Sequence, residues 1–194
     1  MAEMTQLFTI EGIGKSNAKF DRTKLLAFNT QHGERTSPRD LVPAFRAYLD
    51  VNADSPLNNA SDDQLATLIE MKKGFRLLRD IDEASRFLFL PNDAITYDPA
   101  AVEKVLKKND AQGLAVLRDL RDLFAQQADF SAAALEHAVK QYDEQKQLGL
   151  GKIAQPIRVA VTGSTISPPI FQSLEFLGKR RTVARIERCL RHAV

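Results

Sequence analysis

The sequence predicts an all-α protein with two consecutive helical bundles. A capping residue followed by proline stands at Ser37-Pro38 and again at Asp98-Pro99. Serine and aspartate side chains accept the free N–H groups of a helix start, and proline fits the first turn because an N–H is not needed there. After both pairs, apolar residues recur at spacings of three and four, which is typical of amphipathic helices.

Two amphipathic helices open the first bundle. The first is predicted to begin at Ser37. Its apolar face carries Leu41, Val42, Phe45, Tyr48 and Leu49. Residues 61–64, Ser-Asp-Asp-Gln, have the form of a capping box, in which hydroxyl and amide satisfy free backbone donors of the second helix. Gly74 interrupts that helix.

A third, short helix and a turn complete the first bundle. Asp82 is expected to cap this helix, and Pro91 ends it. The turn that follows is the predicted boundary, which separates residues 37–94 from residues 95–194. Residues 1–36 form a leading segment.

The second bundle begins with a long helix and a shorter one. The long helix follows Asp98. Its apolar positions are Val102, Val105, Leu106, Leu114, Leu117, Leu120 and Phe124. Ser131 is predicted to cap the next helix, and Gly149 and Gly151 are predicted to end it, because glycine takes left-handed dihedrals without steric cost.

Residues 157–166 have two interpretations. Their alternating, β-branched sequence favours a strand. A lone strand in a helical protein would leave its backbone groups without partners, so a helix with Pro156 in its first turn and Gly163 at its end is the alternative.

Two helices are predicted at the end of the chain. Ser167, followed by two prolines, opens the first of them, and Gly178 closes it. The last runs from Lys179 to about Leu190.

The composition excludes several classes of protein. Of 194 residues, 44% are apolar and 27% charged with a net charge of +2, which is ordinary for a globular domain and too mild to indicate nucleic acid by itself. A single cysteine, Cys189, excludes an internal disulfide and fits a reducing compartment, so we expect a cytoplasmic protein. No apolar run approaches the roughly 18 residues of a membrane span. The three histidines, His32, His137 and His192, lack the spacing of metal ligands, so no metal site is expected.

No catalytic residue is predicted. Ser164 does not stand in a Gly-x-Ser-x-Gly turn, and no histidine is placed to activate it. Residues 12–16 end in Gly-Lys-Ser but lack the earlier glycine and the leading strand of a phosphate-binding loop. Acidic pairs such as Asp80 and Asp82 are placed at predicted helix starts, where capping explains them.

Cationic residues form two groups that could contact phosphates. In the last helix, Arg181, Arg185 and Arg188 share one face at positions i, i+4 and i+7. The second group surrounds the helix break at Gly74. Its members are Lys72, Lys73, Arg76 and Arg79. Both groups could instead be solvated surfaces, and cations in the last helix would complement its dipole.

Three stretches of the sequence together form a long and specific pattern. Residues 153–171 read Ile-Ala-Gln-Pro-Ile-Arg-Val-Ala-Val-Thr-Gly-Ser-Thr-Ile-Ser-Pro-Pro-Ile-Phe, and the pattern continues in residues 177–179 and 185–188. Residues 8–29 contain Phe-Thr-Ile-Glu and then Lys-Ser-x-Ala-x-Phe-Asp, and residues 71–89 agree in order and spacing. The pattern covers nearly the whole chain and closely resembles the C-terminal part of bacterial glutamyl-tRNA synthetases.

The resemblance implies a stem-contact segment over residues 1–36 and two helical anticodon-binding subdomains over residues 37–94 and 95–194. It also implies that residues 157–166 are helical. The family's catalytic signatures, of the His-x-Gly-His and Lys-Met-Ser-Lys-Ser types, are not in this sequence. ATP, magnesium and glutamate would bind that catalytic fold, so we expect no cofactor here and no glutamyl-adenylate formed by this chain alone. The expected role is tRNA recognition by a monomer.

The family's anticodon contacts correspond to Arg158, Ser167, Pro168 and Ile170. An arginine can hydrogen-bond a splayed base or its phosphate, a serine presents a hydroxyl, and proline and isoleucine offer apolar surface to an unstacked base. The basic residues would position phosphates without reading sequence. They are Lys72, Lys73, Arg76, Arg181, Arg185 and Arg188.

Gly74 stands where family members that reject glutamine tRNA often carry an arginine that reads the third anticodon base. Glycine supplies no side-chain donor, so the resemblance implies relaxed recognition of glutamate tRNA and glutamine tRNA, unless Lys73 or Arg76 substitutes.

A helical protein-interaction module without RNA binding is the alternative interpretation. In such a module the amphipathic helices would serve a protein partner. Salt distinguishes the two, because contacts to phosphates weaken steeply with ionic strength and an apolar groove does not.

Overall fold

The computed structural model describes Gln6, Thr9 and residues 20–192, and within these residues it contains helices and no strand. The described residues contain eight helices of ten or more residues. They are α1 Arg22–Arg35, α2 Pro38–Asp50, α3 Asp62–Met71, α4 Leu78–Phe89, α5 Lys108–Gln126, α6 Ala132–Lys146, α7 Leu150–Thr162 and α8 Ile170–His192. The predicted all-α class is confirmed. Residues 12–16 and most of residues 1–36, singled out in the sequence, lie outside the described residues.

The predicted helix starts are confirmed at four positions. The Ser37 hydroxyl accepts a backbone N–H three residues later at 3.2 Å. At the capping box, the Ser61 hydroxyl accepts the Gln64 N–H at 3.2 Å, and the Gln64 side chain accepts the Ser61 N–H at 2.9 Å. Asp98 and Ser131 likewise accept N–H groups of the first turns that follow them. Local capping chemistry therefore sets these starts.

The prediction that Asp82 caps a helix is wrong. α4 begins at Leu78, and it is the Asp80 carboxylate that accepts the two N–H groups just before the helix, at 2.9 and 3.0 Å. Asp82 lies one turn further on and is 1% exposed. Its carboxylate accepts the Ser55 hydroxyl at 2.6 Å and pairs with Arg86 at 3.2 Å. Asp82 therefore ties the loop between α2 and α3 to α4.

The predicted stops at Gly149 and Gly151 are wrong as well. The chain leaves α6 earlier, at Gln147, which has a left-handed φ of 52° and donates its N–H to the Asp143 carbonyl. The Asp143 carboxylate then accepts the Gly149 N–H at 2.6 Å. The turn closes around Asp143, so Gly149 precedes α7 and Gly151 lies inside it.

Residues 157–162 are helical, and Gly163 ends their helix with a φ of 82°. The helical interpretation is therefore confirmed over the strand. Pro156 lies in the interior of α7 and not in its first turn, because the helix already begins at Leu150. Ile153, which lies between this start and Pro156, is completely buried, and its burial stabilises the first turns of α7.

Two of the helices are interrupted. A π-helix, Val102–Lys107, leads into α5, whose residues 109–111 have left-handed dihedrals. Gly178 was predicted to close a helix, and it has a φ of 75° and a ψ of 160° inside α8. The axis changes direction there, and helical turns continue to His192.

One continuous apolar core includes residues from both halves of the chain. Phe75 and Phe87 are buried in it, and Phe89 packs edge-on against Phe176 with ring centroids 5.6 Å apart. Large aromatic side chains of this kind supply much of the apolar core in a helical protein that has no tryptophan. The boundary between two subdomains stays a prediction.

A buried arginine joins the halves. Arg185 of α8 is 0% exposed. Its guanidinium donates to the carbonyls of Phe87, Leu90 and Val161 at 2.8–2.9 Å and to the Asn92 side chain at 3.0 Å. Burial lowers the pKa of Arg185 to about 10, so the group is still charged at neutral pH. One side chain thus holds the end of α4, the linker after it and the end of α7.

The end of α7 also fits the linker closely. The Gly163 carbonyl accepts the Asp98 N–H at 2.8 Å. A Cβ atom on Gly163 would lie 1.9 Å from the Thr96 carbonyl oxygen, so only glycine fits between α7 and the linker.

Replacing Arg185 should destabilise the whole fold. Arg185→Ala leaves four acceptors without a donor in a buried site, and we expect a loss on the order of 4 kcal/mol in the free energy of unfolding. Arg185→Lys keeps the charge but not the planar set of N–H donors, so it should lower the free energy of unfolding by less. Urea unfolding followed by circular dichroism measures both.

Arg180→Ala is the matched control, because Arg180 is exposed on the same helix. Its effect should stay within about 0.5 kcal/mol. An Arg185→Ala protein as stable as this control would show that the buried guanidinium does not join the halves.

Candidate nucleic-acid interface

A cleft of about 620 Å³ lies between two segments that are distant in sequence. One wall consists of the end of α3 and the first turns of α4, and the other is the turn between α7 and α8. The cleft is lined by Met71, Lys72, Lys73, Asp80, Glu83, Ala84, Phe87, Thr162, Ser164, Ile166, Ser167, Pro168 and Pro169. It therefore brings predicted residues of the Gly74 group, Lys72 and Lys73, to the same site as Ser167 and Pro168.

The α3–α4 wall carries positive charge. Lys72 is half-buried, and its amine makes no ion pair or hydrogen bond to any described residue. Lys73 forms an ion pair with Glu70. Arg76 is exposed beside the cleft, and its backbone N–H donates to Asp80 at 2.9 Å. Lys72 and Arg76 are therefore available to a phosphate group, whereas Lys73 would exchange Glu70 for it.

The segment after Gly74 is held on both sides. From α1, the Asn29 amide donates to the Arg76 carbonyl and the Thr30 hydroxyl donates to the Phe75 carbonyl, each at 3.3 Å. From α4, Asp80 accepts two backbone N–H groups of the same segment. Side chains of α1 and α4 therefore hold the backbone of the cationic wall.

The opposite wall is a turn held by side-chain hydrogen bonds. Arg158 donates from Nε to the Ser167 hydroxyl at 3.2 Å, and Ser167 donates to the carbonyl of Pro168 at 2.7 Å. Ser164 donates to the Ile166 carbonyl at 3.0 Å. Arg158 and Ser167, both predicted as base contacts, thus lie together, and in this structure they hold the turn in place.

Two of the predicted apolar contacts are not accessible. Pro168 and Ile170 are both buried, so neither offers an open surface to an unstacked base in this structure. The apolar surface that is open belongs to Ile166, which is 83% exposed, and to Pro169. The reason is that α8 begins at Ile170 and packs that side chain into the core.

The arginine face of α8 points into the protein, which corrects the prediction for Arg185. Arg185 is fully buried and cannot reach a phosphate. Arg181 donates to the Leu90 carbonyl at 2.8 Å, and burial lowers its pKa. Arg188 donates to two carbonyls at 2.6 and 2.8 Å and lies over the Tyr97 ring. The three arginines bind the 87–95 segment.

Position 74 requires glycine because of its backbone conformation, and not because space for a side chain is lacking. Its φ is 77°, a left-handed value that side chains with a Cβ rarely adopt. No atom lies within 4 Å of where its Cβ would be. A longer side chain would therefore meet open space at the cost of backbone strain.

Glu83 and Ile166 line the cleft and were not predicted as site residues. Glu83 stands one turn after Asp80 on the cleft face of α4, and only the three-dimensional structure brings that face to the site. Ile166 had a signal in the sequence, because an apolar residue stands among serines and threonines just before two prolines.

Metal-binding clusters and membrane-spanning helices are both absent from the part of the chain that the structure describes. Its residues contain no group of three or more histidine, cysteine, aspartate or glutamate side chains that could hold a metal ion. None of its helices combines the length and the apolar character needed to cross a membrane.

The sequence and the fold both match known proteins. Residues 40–190 match the family described as "Anticodon binding domain". The chain is 36% identical over 193 residues to glutamate–tRNA ligase 1 of Alkalilimnicola ehrlichii, covering 95% of this chain and 38% of that protein. It is 30% identical over 190 residues to glutamate–tRNA ligase of Thermodesulfovibrio yellowstonii, covering 97% and 40%.

A solved structure has the same fold. The glutamate tRNA ligase from Elizabethkingia meningosepticum superposes with a TM-score of 0.85 at 24% identity, over 100% of this chain and 37% of that one. The chain thus spans about two fifths of the length of its curated relatives and corresponds to their C-terminal region. With a family match over residues 40–190, it belongs to the anticodon-binding domain family of glutamate–tRNA ligases.

Proposed function

We propose that this chain binds tRNA at the anticodon loop, in the cleft between the α3–α4 wall and the α7–α8 turn. The observation that carries the proposal is the cleft itself, where Lys72 and Lys73 face the turn held by Arg158 and Ser167. The family to which the chain belongs supports the same use of this region.

The chemistry of the two walls suits a single-stranded loop. Proteins read RNA sequence chiefly from unstacked bases, while cations on the backbone add affinity that does not depend on sequence. Lys72, Lys73 and Arg76 supply the cations on one wall. The rigid turn supplies the surface against which a splayed base can lie. Arg181 and Arg188 are bound to carbonyls of the linker after α4, so their part in this function is to hold that linker.

The relatives named as glutamate–tRNA ligases favour glutamate tRNA as the substrate. Gly74 has no side chain to read the third anticodon base, so glutamine tRNA would bind comparably. In this proposal the chain acts as a monomer in the cytoplasm, with residues 1–36 against the tRNA stem. ATP, magnesium and glutamate would bind the catalytic part that the relatives possess, and this chain alone would form no glutamyl-adenylate.

Lys72 should contribute to tRNA affinity in a salt-dependent way. Removing one phosphate contact by Lys72→Ala should weaken binding several-fold at low salt and reduce the slope of log Kd against log salt by about 0.7–1. Fluorescence anisotropy with glutamate tRNA, glutamine tRNA and an unrelated tRNA measures both quantities. The first two should bind alike and better than the third.

Lys152→Ala is the control, because Lys152 is an exposed lysine that does not line the cleft. Equal effects of the two substitutions would contradict a role for the cleft. No tRNA binding at any salt, together with salt-insensitive binding of a protein, would favour the protein-interaction module.

A side chain at position 74 should restore discrimination at the third anticodon base. Gly74→Arg places five N–H donors in open space, and we expect it to raise the preference for glutamate tRNA over glutamine tRNA by about tenfold. The left-handed φ should lower the free energy of unfolding by about 1–2 kcal/mol.

Gly149→Arg provides a control with the same strain. Gly149 has a φ of 88° and no atom within 4 Å of where its Cβ would be. It lies between α6 and α7, whereas Gly74 directly follows the cleft residue Lys73. If Gly149→Arg changed the preference as much, or if Gly74→Arg left it unchanged, the assignment of position 74 would be wrong.

A further inference from the structure

The cleft contains few groups that are not already used by the fold. On the turn, the hydroxyls of Ser164 and Ser167 donate to carbonyls of the same turn. On the helical wall, the Asp80 carboxylate accepts two backbone N–H groups. These three polar groups therefore position the walls and have limited capacity for a ligand.

Glu83 is the carboxylate of the cleft that can accept a hydrogen bond from a ligand. It lies on the exposed face of α4, with 65% of its side chain accessible. Its partner is Arg79, at 3.6 Å between Nε and Oε1, and an exposed pair of this kind contributes little energy. A ligand that donates a hydrogen bond can therefore replace Arg79 at low cost.

Ile166 supplies the apolar surface across the cleft. The residue is 83% exposed although hydrogen bonds hold the turn in which it lies. Ser164 holds it on both sides, because its hydroxyl accepts the Ile166 N–H at 3.3 Å and donates to the Ile166 carbonyl at 3.0 Å. Because the backbone of Ile166 is already held, its side chain offers an apolar contact to an aromatic ring with little further ordering of the turn.

A carboxylate in a cleft that binds RNA lowers the affinity for phosphates. It is useful there when it accepts a hydrogen bond from a donor on a base. Glu83 repels phosphates, so it would weaken RNA binding if it only stood nearby. Carboxylates accept from the exocyclic amine of cytosine, whereas uracil presents a carbonyl oxygen at the same ring position and would be repelled. The charge therefore has a use as a discriminating group.

Resting on the proposed function, we propose that Glu83 and Ile166 form a subsite for one unstacked base of the loop that carries an exocyclic amine. Ile166 contacts the face of the base, Glu83 accepts the amine, and Lys72 neutralises the adjoining phosphate. Cytosine is favoured over uracil at that base. Glu83 thus adds a specificity-determining residue to the α3–α4 wall.

The test uses RNA hairpins with a seven-nucleotide loop, in which each of the three central bases is cytosine or uracil in turn. The whole chain is titrated with each hairpin by fluorescence anisotropy. At one position, we expect cytosine to bind about tenfold tighter than uracil. Glu83→Gln should reduce that preference to below about twofold and tighten the uracil hairpin, because an amide can accept from one base or donate to the other. Ile166→Ala should weaken both hairpins several-fold by a common factor.

Two substitutions outside the cleft are matched controls. Glu136→Gln removes a carboxylate from a similar i,i+4 pair, with Lys140 on α6, and Val51→Ala shortens an apolar side chain that is 81% exposed. Neither should change either affinity. All four altered side chains are exposed, so unfolding by urea should confirm an unchanged fold.

The outcomes separate this subsite from the broader proposal. A cytosine preference that survives Glu83→Gln, or an Ile166→Ala protein with unchanged affinities, overturns the subsite. Binding of hairpins that depends on Lys72 but shows no base preference at any position overturns the subsite alone. If no hairpin and no tRNA binds, the proposed function and the subsite both fail.

Discussion

The arrangement of the molecule depends on one buried guanidinium. Arg185 binds the carbonyl end of α4, the linker that follows it and the last turn of α7. Burying a charge is costly unless its donors are satisfied, and here four of the five N–H donors have acceptors. Arg181 and Arg188 add bonds to the same linker. The charged face of α8 thus adds polar bonds to the apolar core that both halves share.

This junction explains why the cleft exists. It fixes α4 and the end of α7 relative to each other, and the two cleft walls extend from these elements. The walls are further braced by backbone hydrogen bonds around Asp80 and by the hydroxyls of Ser164 and Ser167. A loop that enters such a cleft meets groups already in position, so little ordering free energy is needed at binding. In the function and subsite proposed above, recognition falls to Lys72, Glu83 and Ile166.

Local sequence patterns predict much of the fold, but they do not predict much of the candidate site. Capping residues such as Ser61 predict a helix start, because the hydrogen bonds of a capping box lie within four consecutive residues. Asp82 is not a cap, because its carboxylate binds Ser55 of the preceding loop and Arg86. Pro156 is not in a first turn, because α7 already begins at Leu150. α1 has no buried residue, so its sequence carries little of the periodicity that reveals helices. Arg185 has the sequence pattern of a phosphate-binding face, and only long-range packing turns it inward.

The central claim is that RNA occupies the cleft between these two walls. Hydrogen–deuterium exchange of the whole chain, with and without glutamate tRNA, tests it most directly. Bound tRNA should slow exchange in residues 71–84 and 162–169 together, with much smaller changes in α6, which does not line the cleft. Slowed exchange in only one of the two walls, or in neither while tRNA is bound, would contradict the claim.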